Sequence, residues 1–265
     1  MKSKFAPLFI LAIIFSSCKT YLTPALLGNN MGYLPKAMHA DSLRSITNFS
    51  ASYAGASAPD TKVNFELGMA NIGRSHTFNK FNISYGAFGY FGTAESYNAN
   101  ATNGFDNLPS FKKSISGLGL RFSTGLHSTS KNGNTDFRYL NFENAISTEN
   151  GSYLDFRNEL HSQSLPSNVA VSNKRVLWTT GLSTEVIWRA RKNHDIKHAF
   201  RLFIGATPGL RDSFKFGEKV KDEMDKPGSG GWVISYFLYI KKFSLTLEAA
   251  NHVNLANKIS LGYSL

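Results

Sequence analysis

From residue 175 to residue 190 the side chains change character at every second position. Val176, Trp178, Thr180, Leu182, Thr184, Val186, Trp188 and Ala190 alternate with Arg175, Thr179, Gly181, Ser183, Glu185 and Arg189, and only Leu177 and Ile187 break the pattern. A helix would scatter these residues around its circumference, whereas a strand collects them on one face. Ile196, His198, Phe200, Leu202, Ile204 and Ala206 repeat the alternation. So do Trp232, Ile234, Tyr236, Leu238 and Ile240, then Phe243, Leu245, Leu247 and Ala249, and finally Ile259, Leu261, Tyr263 and Leu265.

The N-terminal half reads in the same way. Phe49, Ala51 and Tyr53 form one apolar face, Val63, Phe65, Leu67 and Met69 a second, and Phe81, Ile83, Tyr85 and Ala87 a third. Leu118, Leu120, Phe122 and Leu126 follow. In Phe137 to Ile146 the apolar parity switches between Tyr139 and Leu140, as a β-bulge would make it do. Ten strands result, with eight as the smaller alternative, and most are long enough to cross a membrane, which takes roughly 9–11 tilted residues.

Alternation alone also fits a β-sandwich or a lipocalin-like barrel. The connections separate the two. Short links at 74–78, 128–134, 192–195 and 241–242 alternate with long ones at 92–112, 148–173 and 209–229, although 57–60 and 254–257 are also short. Short turns on one side and long loops on the other characterise transmembrane barrels of outer membranes. The sequence therefore predicts an all-β, transmembrane, antiparallel up-and-down barrel over residues 45–265. Trp178, Trp188, Trp232, Tyr236 and Tyr263 would belong to its outward face. Tyr153, Leu154, Phe156 and Leu160 have helical spacing inside a long loop, which predicts a short helix there.

The first residues are of another kind. Lys2 and Lys4 precede an uncharged apolar run, Ala6 to Phe15, too short for a spanning helix, which needs about 20 residues. Ser16 and Ser17 then lead to Cys18, the only cysteine of the chain. Phe15-Ser16-Ser17-Cys18 resembles the lipobox of bacterial lipoproteins, with Phe15 in place of the usual Leu. That resemblance implies cleavage after residue 17 and a covalent diacylglycerol and acyl chain on Cys18, with no other cofactor. Lys19-Thr20-Tyr21-Leu22 lacks the acidic tag that marks such anchors for outward export, so an anchor in the periplasmic leaflet is expected. Residues 18–44 would then be a periplasmic lead-in, lying beneath the barrel or binding a periplasmic partner. The closing strand Asn257 to Leu265 is similar to those of outer-membrane barrels, with Leu265 replacing the terminal aromatic. Together these features resemble the small barrel lipoproteins of the Bacteroidota outer membrane.

The formal charge of +11 would suit nucleic acid in another compartment. In an exported chain, anionic lipopolysaccharide and phospholipid are the expected counter-charges, and no nucleic acid partner is expected. The polar strand faces would carry Glu66, Arg121, Glu143, Glu185, Arg189, Arg201 and Glu248 into the lumen as a network of paired charges. Phe88, Tyr90, Leu177, Ile187, Phe203, Phe237 and Tyr239 would narrow it further, which argues against an open porin, since those need about 16 strands.

No catalytic or metal-binding residues are predicted. His127 and Ser128 are adjacent and so point to opposite faces, while Glu248 and His252 share a face about 13 Å apart. The function expected is that of a non-enzymatic accessory or structural subunit of a larger outer-membrane complex, of the protein-insertion or secretion type. A narrow transport or ligand-binding barrel is the alternative, and a lipid-modifying enzyme the second.

Overall fold

The computed structural model describes residues 20–41, 44–59, 62–96, 110–191, 193, 195–218, 220 and 226–265. The segment 1–17 expected to be an export signal and Cys18 lie outside these residues, as does His194. Ten strands form a closed antiparallel barrel: β2 (Ser45–Ser57), β3 (Val63–Thr77), β4 (Phe81–Ser96), β5 (Phe111–Thr129), β6 (Thr135–Asn150), β8 (Val176–Arg189), β9 (Ile196–Ala206), β11 (Gly230–Ile240), β12 (Phe243–His252) and β13 (Asn254–Ser264). Each pairs with its neighbour in chain order. β13 then pairs with β2, from Ser264 opposite Asn48 to Leu255 opposite Ser57, and closes the ring. Closure leaves no strand edge unpaired, which a barrel in hydrocarbon requires because no water is there to satisfy a free amide.

The outer surface explains the alternation. Leu118 is 70% exposed, Leu120 60% and Leu261 67%, and Phe122, Ile146, Trp178, Leu182, Ile204 and Ile259 are likewise exposed. A continuous apolar band of this kind would be unstable against water and is the surface that faces lipid chains. The expected parity switch in β6 is real. Tyr139 and Leu140 both point outward, and the β6–β8 register shifts between Arg138 and Asn141.

The two ends of the barrel differ. One, the turn end, carries the connections at 78–80, 130–134, 190–195 and 241–242. The other, the loop end, carries the long connections. There β1 (Thr20–Leu22), β7 (Val169–Ser172) and β10 (Phe214–Phe216) form a second small sheet. β1 runs parallel to β7, and β10 antiparallel to it. The predicted loop helix is α1 (Ser152–Ser162). It seats Tyr153 edge-on against Phe65 of the barrel wall, with ring centroids 5.5 Å apart.

This arrangement corrects two expectations. Residues 20–38 do not lie beneath the barrel; they are buried within it almost without interruption, with only Leu34 and Pro35 partly exposed. And Val63, Phe65, Leu67 and Met69 point inward, not outward. At the loop end they meet an apolar cluster formed by Leu22, Leu26, Leu27, Tyr153, Val169 and Val171. Burial against that cluster, not contact with lipid, is what the apolar face of β3 serves.

Candidate functional site

The lumen is the candidate site, and its principal occupant is the chain's own N-terminal segment. Leu22, Leu26, Leu27, Met31 and Met38 of this segment are buried in apolar clusters of the interior, and since it has little regular structure of its own, its polar groups are held by hydrogen bonds that follow one another down the barrel wall. At the loop end Thr23 Oγ1 donates to Asn254 Oδ1 at 2.8 Å, and the Tyr153 hydroxyl donates to the Thr23 carbonyl at 3.0 Å. Ala25 N–H donates to Glu149 Oε2 at 2.8 Å, while the other carboxylate oxygen of Glu149 pairs with the buried Arg157 of α1. Asn29 Nδ2 donates to the Gly55 carbonyl at 3.2 Å, and Arg121 Nε donates to the Asn30 carbonyl at 2.7 Å.

Lower down, Tyr33 N–H donates to Glu248 Oε1 at 2.9 Å and its hydroxyl donates to Glu185, which also takes an ion pair from Lys36 at 2.9 Å. The Ala37 carbonyl accepts from Thr77 Oγ1 and Arg138 Nη2, each at 2.7 Å. His39 N–H donates to Asp136 Oδ2 at 2.7 Å, and at the turn end Asp41 accepts from both Arg189 and Lys197. Burying a peptide without such partners would cost a few kcal/mol per group; here the wall supplies them.

Two glycines let the backbone fit. Gly28 has φ +87°, a left-handed conformation, and a Cβ there would stand 2.7 Å from Ala256 Cβ. At Gly32 a Cβ would come within 2.7 Å of both the Arg121 guanidinium and Lys258 Nζ.

Most of the charges expected in the lumen are brought together there. Arg121, Glu143, Glu185, Arg201 and Glu248 are buried and face inward, and Arg189 lies partly buried at the turn end. Arg201 grips Glu143 through Nε and Nη2, at 3.0 and 2.5 Å, and donates from Nη1 to Ser235 Oγ at 3.1 Å. Ser235 Oγ donates onward to Glu248 Oε1 at 3.0 Å, and Lys258 holds the other oxygen of Glu248 at 2.7 Å. The Arg121 guanidinium carbon lies 3.9 Å from the centroid of the Phe88 ring.

Glu66 is the exception. It is exposed and faces outward, because the inward parity of β3 is taken by Val63, Phe65 and Leu67. Sequence reasoning also missed Lys36, Asp136, Arg138, Glu149, Arg157 and Lys258. Lys258 sits between outward residues of β13, and Glu149 continues the inward parity of Glu143, Ala145 and Ser147 along β6, so both were open to the parity argument. The others belong to the N-terminal segment, the bulged end of β6 or a loop helix, where parity gives no guidance.

Among the described residues the histidines form no single cluster. His76 contacts the Tyr85 hydroxyl and His198 the Tyr236 hydroxyl, while His39 and His127 face each other at 5.8 Å. No group of three His, Cys, Asp or Glu among the described residues is arranged to hold a metal.

No protein-family profile matches the chain, and no curated protein sequence does. Among solved structures it is similar to the β domain of the Bordetella autotransporter BrkA, at 8% identity over 83% of this chain and 97% of that one, with a TM-score of 0.46. It is similar to the transport unit of the autotransporter AIDA-I from Escherichia coli, at 10% identity, covering 89% and 93%, with a TM-score of 0.38. It is also similar to the outer membrane protein OprG from Pseudomonas aeruginosa, at 8% identity, covering 87% and 97%, with a TM-score of 0.37. At such identities the likeness is one of barrel architecture.

Proposed function

We propose that the chain is an outer-membrane barrel lipoprotein, acylated on Cys18, that serves as a non-enzymatic structural or accessory subunit of a larger outer-membrane complex. The occupied lumen carries this reading. A pore that conducts needs a free path, and here residues 20–41 fill the path and are bonded to the wall along its length. What the barrel then offers to other molecules is its outer wall, its rims and its loops, and loops held on a rigid scaffold are where binding usually resides. Outer-membrane lipid and lipopolysaccharide are its surroundings, and other outer-membrane proteins its expected partners.

Extraction of native membranes in mild detergent tests the proposal. A second barrel or lipoprotein that co-purifies in fixed ratio supports it. A monomer that conducts in planar bilayers with residues 20–41 intact overturns it in favour of a transport barrel. A monomer whose lipid hydrolysis is lost on mutation of a lumen residue overturns it in favour of an enzyme. Separately, Cys18→Ala is expected to abolish labelling by a palmitate analogue and to leave unprocessed precursor.

A further inference from the structure

We propose that the N-terminal segment is threaded through the barrel with its first residues at the cell surface, so that an acyl group on Cys18 sits in the outer leaflet of the membrane. The first half is independent of the lipoprotein reading; the second half rests on it.

The contacts fix the direction of the thread. Taken in sequence order, the wall partners of the segment move steadily from one end of the barrel to the other. Thr20–Leu22 pairs with Val169–Val171, within the 151–175 loop. Thr23 meets Asn254, the first residue of β13, also at the loop end. Ala25 meets Glu149, second from the loop-end limit of β6, and Tyr33 meets Glu248, halfway along β12. Ala37 meets Thr77, the last residue of β3, and Asp41 meets Arg189, the last of β8, both at the turn end. From there the chain continues directly into β2. The segment crosses the barrel once and does not turn back.

In outer-membrane barrels the short turns are periplasmic and the long loops extracellular, so the residue-20 end is the outer one. Chain length excludes the periplasmic leaflet for the anchor. Two peptide units reach at most about 7 Å, whereas the apolar band to be recrossed is about 25 Å tall. The lumen cannot lead residues 18 and 19 back, since the segment that follows them already fills it. The expectation of a periplasmic-leaflet anchor, which assumed that the lead-in lies below the barrel, is replaced by this one. The missing acidic tag after Cys18 is then no obstacle, because the barrel itself carries the N-terminus across.

The test uses the full-length chain with a short epitope inserted between residues 19 and 20. Control epitopes stand in the 97–109 connection for the loop end and in the 131–133 turn for the turn end. Folding is verified by the mobility difference between unheated and heated gel samples. Antibody binding to the N-terminal and 97–109 epitopes on intact cells, with the 131–133 epitope reached only after permeabilisation, is the expected result. An N-terminal epitope that stays hidden until the outer membrane is opened overturns the threading.

A double substitution, Thr20→Cys with Val169→Cys, checks the geometry without an insertion, since these residues are register partners in β1 and β7. Near-complete disulfide formation in cells is expected, and none would overturn it. Incorporation of a palmitate analogue separates the two halves. Surface display without acylation leaves the thread in place and removes the lipoprotein reading, whereas acylation of a chain whose N-terminal epitope is periplasmic removes the thread alone.

Discussion

Replacing Arg201 by methionine should be among the most damaging single changes to this barrel. The Arg201 side chain is 1% exposed and that of Glu143 7%, so neither charge has water to fall back on. Removing one partner of such a pair typically costs about 3–5 kcal/mol, because the other remains buried and charged. Glu143 keeps the hydroxyl of Ser183 as a donor, which moves the expected loss for Arg201→Met to the lower part of that range, about 3 kcal/mol. At about 1.4 kcal/mol per factor of ten, this is roughly a hundredfold in the folded-to-unfolded ratio. The double variant Glu143→Leu with Arg201→Met leaves no orphaned charge and should recover most of the loss, since apolar replacements of buried pairs are often neutral or stabilising. Urea titration of protein folded into vesicles, followed by tryptophan emission and the gel shift, measures both. If the double variant is no more stable than Arg201→Met, the two residues are not coupled as described and the reasoning fails.

Other outcomes follow from the same structure. Leu120→Arg puts a charge at the middle of β5 on the lipid face and should cost about 2–4 kcal/mol, read by the same titration. Glu66→Ala, outside the lumen, should stay within about 0.5 kcal/mol of the parent; a loss like that of Arg201→Met would return Glu66 to the interior. Gly28→Val demands a left-handed conformation from a β-branched residue against Ala256 and should cost more than about 1 kcal/mol, appearing as protease cleavage within residues 20–41 while β2 to β13 stay resistant. Glu149→Ala removes the acceptor of Ala25 N–H and the ion-pair partner of Arg157, which keeps the Ser172 and Lys174 carbonyls, so hydrogen exchange should rise at residues 20–30 and in α1 before it rises in the barrel strands.

The barrel was legible in the sequence because a strand between hydrocarbon and a packed interior must alternate, and β8, β9 and β11 to β13 do so almost without interruption. The bulge at Tyr139 and Leu140 showed as a lapse of parity for the same reason. Residues 20–41 gave no such signal. They adopt almost no repeating structure, and their burial depends on partners such as Glu149, Glu185 and Glu248 that are distant in the chain. Period two also cannot say which face is inward when both environments are apolar. That is why β3 was inverted: Phe65 and Leu67 would suit lipid as well as they suit Leu22 and Tyr153. The lumen charges Arg121, Glu143, Glu185, Arg201 and Glu248 were identifiable as the polar positions of otherwise apolar strands, while Lys36 and Arg157 come from segments with no periodicity to follow.

The seam between β13 and β2 has a consequence for biogenesis. A finished cylinder would have to admit an irregular peptide end-on, past side chains already packed and bonded inside it, and a lipid-bearing terminus would make that passage harder still. Curling a still-open sheet around the peptide avoids the obstacle. The β12–β13 hairpin, whose outer strand carries the seam, would then act as the latch, shutting only after residues 20–41 have been laid in place.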